Sequence, residues 1–388
     1  MLTLGGAGVE FTGILADQQP RIARVSTDAT LPVAARREQA FLMRAGHSTI
    51  PDGHLIYMLL NEDRELSEAL PPNSPVAILP DGYEYLGDGD IVRLVPERNA
   101  IRVLYRHASA HNSILLTERC NNYCLMCSQP PKAGDDSWIV TEVLETIPLI
   151  DPQTRELGFT GGEPTLLGDS LINILDVCKT WLPRTAIHVL SNGRRFADDS
   201  YCTKYASVEH PDLMVGIPLY SDLSNIHDYV VQADGAYDET IRGILNLKRL
   251  GQRVELRVVI HKQTYERLPE LAEFITRNLT FVDHVALMGL EITGFTRANL
   301  GDLWIDPYDY QQQLRDAVLL LSTFGMNTSI YNLQLCTLPA ELWHFARRSI
   351  SDWKNEYMPE CTGCAKRSEC GGFFTSAKLR YSDHIVPF

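Results

Sequence analysis

The sequence lacks several features that define large classes of proteins. It has no run of 18 apolar residues, so no segment is expected to span a membrane as a helix. Residues Met1–Glu10 lack the basic start and apolar stretch of a secretory signal peptide. The chain also has no internal repeat, low-complexity tract or long run of like charges. We therefore expect a soluble, cytoplasmic protein.

What the chain does contain is enough residues for a large core, an acidic balance and many cysteines. Its 388 residues, 45% of them hydrophobic, predict two or three domains at roughly 150 residues each. The formal charge of −14 disfavours broad binding to nucleic acid or to an anionic membrane surface. Nine cysteines without a secretion signal favour metal or redox chemistry over structural disulfides.

The first region, residues 1–105, predicts a small α+β accessory domain. A helix is predicted over Leu31–Ala45, and short β-prone runs follow at His54–Leu60, Val76–Pro80 and Asp90–Val95. Turn-forming Pro-Asp-Gly and Gly-Asp-Gly segments separate these runs. The region indicates no chemistry of its own. We regard it as a candidate for peptide or partner recognition, for example by adding a strand to a free sheet edge.

Strands and helices alternate in the second region, residues 106–305. Alternating βα units predict a parallel sheet with right-handed crossovers, here an α/β partial (β/α)6 barrel of TIM type. In such sheets the chemistry gathers at the C-terminal ends of the strands. Helical periods are predicted from Asp169, over Tyr237–Leu250 and over Leu268–Leu279. The predicted strands are Ser113–Glu118, Glu156–Thr160, Ala186–Leu190, Leu213–Leu219, Val254–Ile260 and His284–Leu290.

Three cysteines follow the first of these strands. Cys120, Cys124 and Cys127 have the spacing C-x3-C-x2-C. Three thiolates on one short loop can bind three irons of a cubane cluster and leave the fourth iron without a protein ligand. Zinc would require a fourth Cys or His nearby, and none follows soon after Cys127. The spacing therefore favours a [4Fe-4S] cluster.

This cysteine motif resembles that of the radical SAM superfamily, and the resemblance continues after the second strand. The segment Gly161-Gly162-Glu163-Pro164 is similar to the superfamily's GGEP motif, which binds the amino group of S-adenosylmethionine (SAM). Glycines let the backbone approach a ligand, and Glu163 can accept from an ammonium; an ordinary glycine-rich turn is the alternative. The resemblance implies that SAM chelates the open iron, is cleaved by one electron, and yields a 5′-deoxyadenosyl radical that removes hydrogen from a substrate.

Five further positions are candidate SAM contacts by the same resemblance. Ser191 and Asn192 match a Ser/Thr-Asn-Gly segment of relatives, and their side chains can reach the methionine carboxylate or the ribose; a plain turn is the alternative. Arg257, on the fifth strand, either pairs with the carboxylate or faces outward. Met126, where many members have an aromatic residue, and Met288, on the sixth strand, are candidates for adenine contact, with core packing as the alternative.

The C-terminal region, residues 306–388, holds a second cysteine set. Cys361, Cys364 and Cys370 lie close together, and Cys336 lies upstream. Four thiolates suit either a closed [4Fe-4S] cluster or zinc. The C-x2-C-x5-C spacing resembles the SPASM/twitch extension of radical SAM enzymes, which binds auxiliary clusters and often accompanies peptide substrates. No fourth close cysteine follows Cys370, so we expect one auxiliary [4Fe-4S] cluster.

Longer stretches resemble the His-Xaa-Ser system radical SAM maturases. This resemblance implies an enzyme that modifies a small ribosomally made precursor peptide, with a partner maturase or recognition protein. A low-potential electron donor such as flavodoxin or ferredoxin is also expected. His227-Asp228 followed by Gly235-Ala236-Tyr237 is similar to a segment of SPASM enzymes. The stretches that carry the maturase resemblance are Leu116–Pro131, Tyr331-Asn332, Cys336 and Ser351–Asn355.

Two other classes of function compete with this interpretation. One is a radical SAM enzyme that acts on RNA or on a small molecule, although the acidic charge and the absence of a basic tail with interleaved aromatics disfavour RNA. The other is a non-catalytic metalloprotein in which both cysteine sets are structural. Of the two remaining cysteines, Cys178 is expected to be buried on a helix, and Cys202 is left without a role. A low-potential open cluster requires a reducing compartment, which agrees with a cytoplasmic location.

Overall fold

The fold is described from a computed structural model over residues 3–13, 20–46, 50–348 and 356–388. These residues form an eight-stranded sheet and a seven-stranded sheet. Helices cover the outer face of the second sheet. None of the helices in these ranges combines the length and the hydropathy needed to cross a lipid bilayer.

The eight-stranded sheet is built from the first 105 residues. β1 and β2 follow each other on the chain but pair with opposite ends of the sheet, so the sheet curls until its two ends approach each other. Apolar side chains of its inner face form one buried core. The order across the sheet is β1-β8-β7-β3-β4-β5-β6-β2. Its elements are β1 (Gly5–Ala7), β2 (Glu10–Thr12), β3 (Arg21–Ser26), α1 (Val33–Arg36), β4 (Gln39–Met43), β5 (Ile56–Leu60), β6 (Val76–Leu79), β7 (Ile91–Val95) and β8 (Ala100–Tyr105).

This curled sheet offers little edge to an added peptide strand. Its end strands, β1 and β2, each have three residues and are joined by Gly8 and Val9. Val9 is buried and donates its N–H to the carbonyl oxygen of Asn99 at 3.0 Å. Among the strands that the structure describes, β3 to β8 are each paired on both sides. Strand addition would therefore have only β1 or β2 as its partner.

The helix predicted over Leu31–Ala45 is wrong over most of its length. Only Val33–Arg36 is helical, and Gln39–Met43 forms strand β4, which pairs in parallel with β3 and β5. Met43 is buried on one face of this strand and Leu42 on the other. Because β4 is central and covered on both faces, its apolar residues form a continuous run without alternation. Tertiary packing here overrides local helix propensity.

The seven-stranded sheet is entirely parallel, and its strands follow in chain order. It is an α/β partial barrel of TIM type, as predicted, and the six predicted strands correspond to β9–β14. β15 is a seventh strand of four residues. The strands are β9 (Asn112–Leu115), β10 (Glu156–Thr160), β11 (Ala186–Leu190), β12 (Leu213–Pro218), β13 (Arg253–Ile260), β14 (His284–Gly289) and β15 (Thr328–Tyr331). The helices are α2 (Trp138–Thr146), α3 (Asp169–Trp181), α4 (Asp199–Ala206), α5 (Ser224–Val231), α6 (Ala236–Arg249), α7 (Leu268–Asn278), α8 (Phe295–Ala298), α9 (Leu300–Leu303) and α10 (Gln311–Thr323).

The two faces of the barrel strands have opposite character. On β13, Leu256 and Val258 are buried in the main hydrophobic core outside the sheet, whereas Glu255 and Arg257 line a cavity inside it. The inside of the barrel is therefore polar. The C-terminal ends of β9, β10 and β11 lie side by side, so the loops that follow them are neighbours. Division of the chain at residues 105 and 305 stays a prediction, and β15 lies within the predicted third region.

Candidate active site

The cysteine loop, Cys120–Cys127, is held between helical segments from distant parts of the chain. Tyr123 and Leu125 donate their backbone N–H groups to the last two residues of α5, at 3.0 and 2.9 Å. From the opposite direction, the backbone N–H of Phe295 donates to the carbonyl oxygen of Cys127 at 2.8 Å. The loop is thus fixed by the barrel rather than by its own residues alone.

The glycines of the GGEP motif are in close contact with the chain that leads into this loop. A Cβ on Gly161 would lie 2.5 Å from the carbonyl oxygen of Thr117, and one on Gly162 would lie 2.1 Å from that of Arg119. Gly162 donates its N–H to Thr117 and Glu163 donates to Arg119, both at 2.7 Å. The sequence predicts glycines that let the backbone approach a ligand. The structure adds that they let the GGEP turn pack against the cysteine loop.

Glu163 joins the GGEP motif to the end of β11. Its carboxylate is 1% exposed, and one oxygen accepts from Thr165 N at 3.0 Å, Thr165 Oγ1 at 2.6 Å and Ser191 Oγ at 2.8 Å. The other oxygen accepts from Asn192 N at 2.6 Å. Burial raises the pKa of Glu163, while these donors favour its charged form. Pro164, also buried, begins the short 3-10 turn that supplies the Thr165 donors.

The end of β11 is in turn bonded to the cysteine loop. The side-chain amide of Asn192 donates to Asn121 Oδ1 at 2.7 Å. Arg194 donates to the carbonyl oxygen of Asn121 at 2.9 Å, to Asn122 Oδ1 at 2.6 Å and to Glu239 at 2.6 Å. The structure therefore brings all three predicted motifs into one network. Sequence reasoning missed Asn121, Asn122 and Arg194, for which the only signal was their position within or next to a motif.

Burial disfavours the thiolate form of the three loop cysteines. Burial raises the pKa of Cys120 to about 11 and that of Cys124 to about 12, and it raises the pKa of Cys127 in the same direction. Thiolates at this place require adjacent positive charge, which irons would supply. In the described part of the chain, no three Cys, His, Asp or Glu side chains converge as ligands of a single metal ion. A cubane fits this spacing, because each thiolate binds a different iron.

Arg257 faces the inside of the barrel rather than outward, and its pairing with the SAM carboxylate stays a prediction. Its guanidinium donates to Glu255 at 2.7 Å and to the sulfur of Met288 at 3.5 Å. Burial alone would raise the pKa of Glu255, but its hydrogen bond with His284, at 2.6 Å, and the charge of Arg257 lower the pKa to about 2. These residues line a cavity of about 410 Å³ that also includes Tyr331-Asn332. Arg257 is therefore already paired with the carboxylate of Glu255.

The two methionines predicted as adenine contacts have different surroundings. Met126 is 7% exposed and packs in an apolar cluster with Tyr220 and Leu303, beside Cys124. Met288 is 8% exposed and borders the barrel cavity. Tyr220, which sequence reasoning missed, is buried close enough to the cysteine loop for the thiols to affect its pKa, which burial raises.

The C-terminal cysteines are gathered around one small pocket. Cys336 lines it together with Cys361, Cys364 and Cys370, although it lies well upstream in the sequence. Burial raises the pKa of both Cys336 and Cys361. The residues Ile385–Phe388 cover part of the same pocket with mainly apolar side chains. Four thiols around one pocket can each bind a different iron of a closed cluster, whereas they do not converge on the single position that a zinc ion would occupy.

Four other residues singled out by the sequence are buried in the core or bonded to a helix start. Cys178 and Cys202 are fully buried in the main core. His227 is buried in α5, and Asp228 accepts from two backbone N–H groups at the start of α6, at 2.7 and 2.8 Å. Ser351–Asn355 lies outside the described residues.

Comparison with known proteins finds a family match for the central part of the chain and several similar solved structures. Residues 114–275 match the model of the radical SAM superfamily. Similar solved structures include Streptococcus suis SuiB bound to S-adenosylmethionine, with 17% identity and a TM-score of 0.45 over 59% of this chain and 51% of SuiB. Native anSMEcpe with bound AdoMet and the Cp18Cys peptide has 15% identity and a TM-score of 0.44 over 57% of this chain and 62% of anSMEcpe. Coproporphyrinogen III oxidase (HemN) from Escherichia coli has 13% identity and a TM-score of 0.44 over 56% of this chain and 52% of HemN. The chain thus spans about half the length of SuiB. A search of curated proteins finds no significant match.

Proposed function

We propose that this chain, which carries a radical SAM domain, is a radical SAM enzyme that modifies a ribosomally made peptide. The observation that carries the proposal is the hydrogen-bond network from the cysteine loop through Asn192 to Glu163. It connects three motifs at the ends of three neighbouring parallel strands. The C-terminal ends of such strands are where α/β barrels carry their active sites.

Each part of this network has a role in the proposal. Cys120, Cys124 and Cys127 hold a [4Fe-4S] cluster. The segment Gly161–Pro164, with Ser191 and Asn192, binds the amino-acid part of SAM. When bound, the cluster and SAM supply one-electron cleavage of SAM and a radical that abstracts hydrogen from the substrate. The barrel's residues orient the substrate and exclude water from the reacting centre.

Inside the barrel, the proposal gives separate roles to two residues that border the cavity. Arg257 orients the SAM carboxylate and shares its charge with Glu255. Met288 offers its thioether to the adenine. Met126, which packs beside Cys124, is the second candidate for adenine contact, with packing against the loop as the alternative.

The proposal also assigns one auxiliary [4Fe-4S] cluster to Cys336, Cys361, Cys364 and Cys370. Its support is the grouping of the four thiols around one apolar pocket. Zinc in place of this cluster is an outcome of the test below. The substrate proposed is a precursor peptide of His-Xaa-Ser type, with a partner maturase or recognition protein and a flavodoxin or ferredoxin as electron donor. A cytoplasmic location is part of the same proposal.

Anaerobic reconstitution tests the catalytic proposal. The chain should bind about eight irons, as two cubanes, and release 5′-deoxyadenosine from SAM when dithionite is added. Cys127→Ala should lose about four irons and all SAM cleavage. Cys202→Ala is the matched control, because it removes a core thiol and should keep both properties. A fully loaded protein that releases no 5′-deoxyadenosine would show that the enzyme proposal is wrong and favour a structural metalloprotein.

A second variant separates the two cysteine sets. Cys364→Ala should lose about four irons while SAM cleavage continues. Zinc at the C-terminal set would refute the auxiliary cluster but not the radical SAM assignment. Peptide modification is then tested with a short repeat-bearing peptide encoded beside this chain, followed by mass spectrometry. Modification of RNA or of a small molecule, with the peptide unchanged, would contradict the proposed substrate.

A further inference from the structure

Asn122 contacts the sulfurs of two different cysteines. It lies two residues after Cys120 and is 3% exposed. Its backbone N–H points at Cys120 Sγ from 3.4 Å, within range for a bond to sulfur. Its side chain lies close enough to the Cys124 thiol to lower the pKa of that thiol, against the larger effect of burial. One residue therefore reaches two of the three proposed cluster ligands.

Arg194 fixes the direction in which the Asn122 side chain points. Its Nη1 donates to Asn122 Oδ1 at 2.6 Å. A guanidinium has only donors, so the amide oxygen must face it and the amide NH2 must face the sulfur. Arg194 is itself held by Glu239 at 2.6 Å, and its side chain is 14% exposed. The amide is thus oriented by a partly buried charged residue from the turn that follows the third barrel strand.

We propose that Asn122, oriented by Arg194, sets the reduction potential of the three-cysteine cluster. Hydrogen bonds to cluster sulfurs are among the factors that determine this potential. An N–H group that points at a thiolate stabilises the additional negative charge of the reduced cluster, and the positive charge of Arg194 acts in the same direction. Both residues are positioning residues, and the proposal rests on the proposed function in that it requires a cluster at Cys120, Cys124 and Cys127.

Asn122→Leu removes the amide and keeps the size of the side chain. The ratio of reduced to oxidised cluster at a fixed potential should fall about tenfold, which for a one-electron couple is a shift of about 59 mV to lower potential. Asn122→Asp should shift the potential further in this direction, because a carboxylate replaces the donor. The measurement is an electron paramagnetic resonance redox titration of the full chain. The signal that changes when SAM is added identifies the cluster with the open iron.

Two further variants test the role of Arg194 and the specificity of the effect. Arg194→Gln should lower the potential in the same direction, and Arg194→Lys, which keeps the charge, should recover part of the shift. Asn278→Leu is the matched control, because the exposed Asn278 side chain donates to Phe274 within α7, and it should leave the potential unchanged. If Asn122→Leu and Asn122→Asp load iron normally and keep the wild-type potential, the inference is wrong while the proposed function stands. If no SAM-sensitive cluster forms in the wild type, both are wrong.

Discussion

Replacing Gly162 with alanine tests whether the GGEP turn and the cysteine loop form one structural unit. The new Cβ would lie 2.1 Å from the carbonyl oxygen of Arg119 and 3.0 Å from that of Glu118, whereas ordinary contact begins at 3.4 Å. The two segments must therefore separate by about 1 Å. Overpacking of this kind costs about 1–3 kcal/mol, and weakening the hydrogen bond from Gly162 to Thr117 costs about 1 kcal/mol more. We expect Gly162→Ala to lower the free energy of unfolding by about 3 kcal/mol.

The same displacement should reach the cluster ligands. Arg119 directly precedes Cys120, so moving its carbonyl group moves the first thiol relative to the other two. Gly162→Ala is therefore expected to bind fewer irons at the three-cysteine site. Gly134→Ala is the matched control, since Gly134 lies with Arg119 in the connection between β9 and α2 and has no positive φ. A Cβ added to Gly134 would meet no atom within 4 Å. That variant should keep its iron and be equally stable or slightly more stable.

Urea unfolding of the metal-free chain, followed by circular dichroism, gives the stability of each variant. Iron per chain after anaerobic reconstitution gives the second measurement. A Gly162→Ala protein that equals Gly134→Ala in stability and iron content, but binds SAM more weakly, would refute the packing argument. The glycine would then serve only the approach of the ligand.

Other substitutions probe the same structure. Glu163→Ala should lower the free energy of unfolding by about 3 kcal/mol, because the buried donors of Thr165, Ser191 and Asn192 lose their acceptor. Glu163→Gln keeps one acceptor oxygen and should lower it less in the same urea assay. Equal losses for the two variants would contradict this account. Glu142→Ala, which removes the carboxylate that binds Arg93 at 2.6 Å, should cost about 3 kcal/mol, whereas the exposed Glu273→Ala should cost under about 0.5 kcal/mol. Burial lowers the pKa of His261 to about 4, so the unfolded chain takes up this proton first as the pH falls below about 6.5. Between pH 6.5 and pH 4, protonation of this residue in the unfolded chain should therefore lower the free energy of unfolding by about 1.4 kcal/mol per pH unit. His261→Leu should remove this contribution from the slope of the unfolding free energy against pH. Urea titrations at several pH values measure that slope, and an unchanged slope would refute the argument.

The sequence predicts the barrel well because its strands carry local signals. Strands such as β10 and β11 are short apolar runs bounded by turn residues, and their predicted bounds match the structure. β15 escapes prediction because its Thr-Ser-Ile-Tyr run is short and half polar. β4 is mistaken for part of a helix because a run buried on both faces carries no periodicity. In both failures the deciding contacts come from neighbouring strands, which the local sequence does not contain.

The candidate site also has parts that local sequence predicts and parts that only the fold brings together. Cysteine spacing and the GGEP letters lie within short segments, so they can be recognised without a structure. The bond between Arg194 and Asn122 joins residues 72 positions apart, and no local pattern indicates it. Cys336 is an intermediate case, because its residue type suggested a ligand while only the fold brings it to the other three cysteines.

The hydrogen bonds of Glu163 also constrain how the site can receive a ligand. A carboxylate has about four acceptor positions, and one oxygen of Glu163 already accepts three bonds, from Thr165 and Ser191. The other oxygen accepts the backbone N–H of Asn192, and its remaining acceptor position is the one that we propose for an ammonium group. Binding at that oxygen would add a bond to the network without breaking one. Since Asn192 also donates to Asn121, an ammonium at this position would tighten the link between the GGEP motif and the proposed cluster ligands. Glu163 therefore links the GGEP turn to the end of β11, and in our proposal the same carboxylate recognises the amino group of SAM.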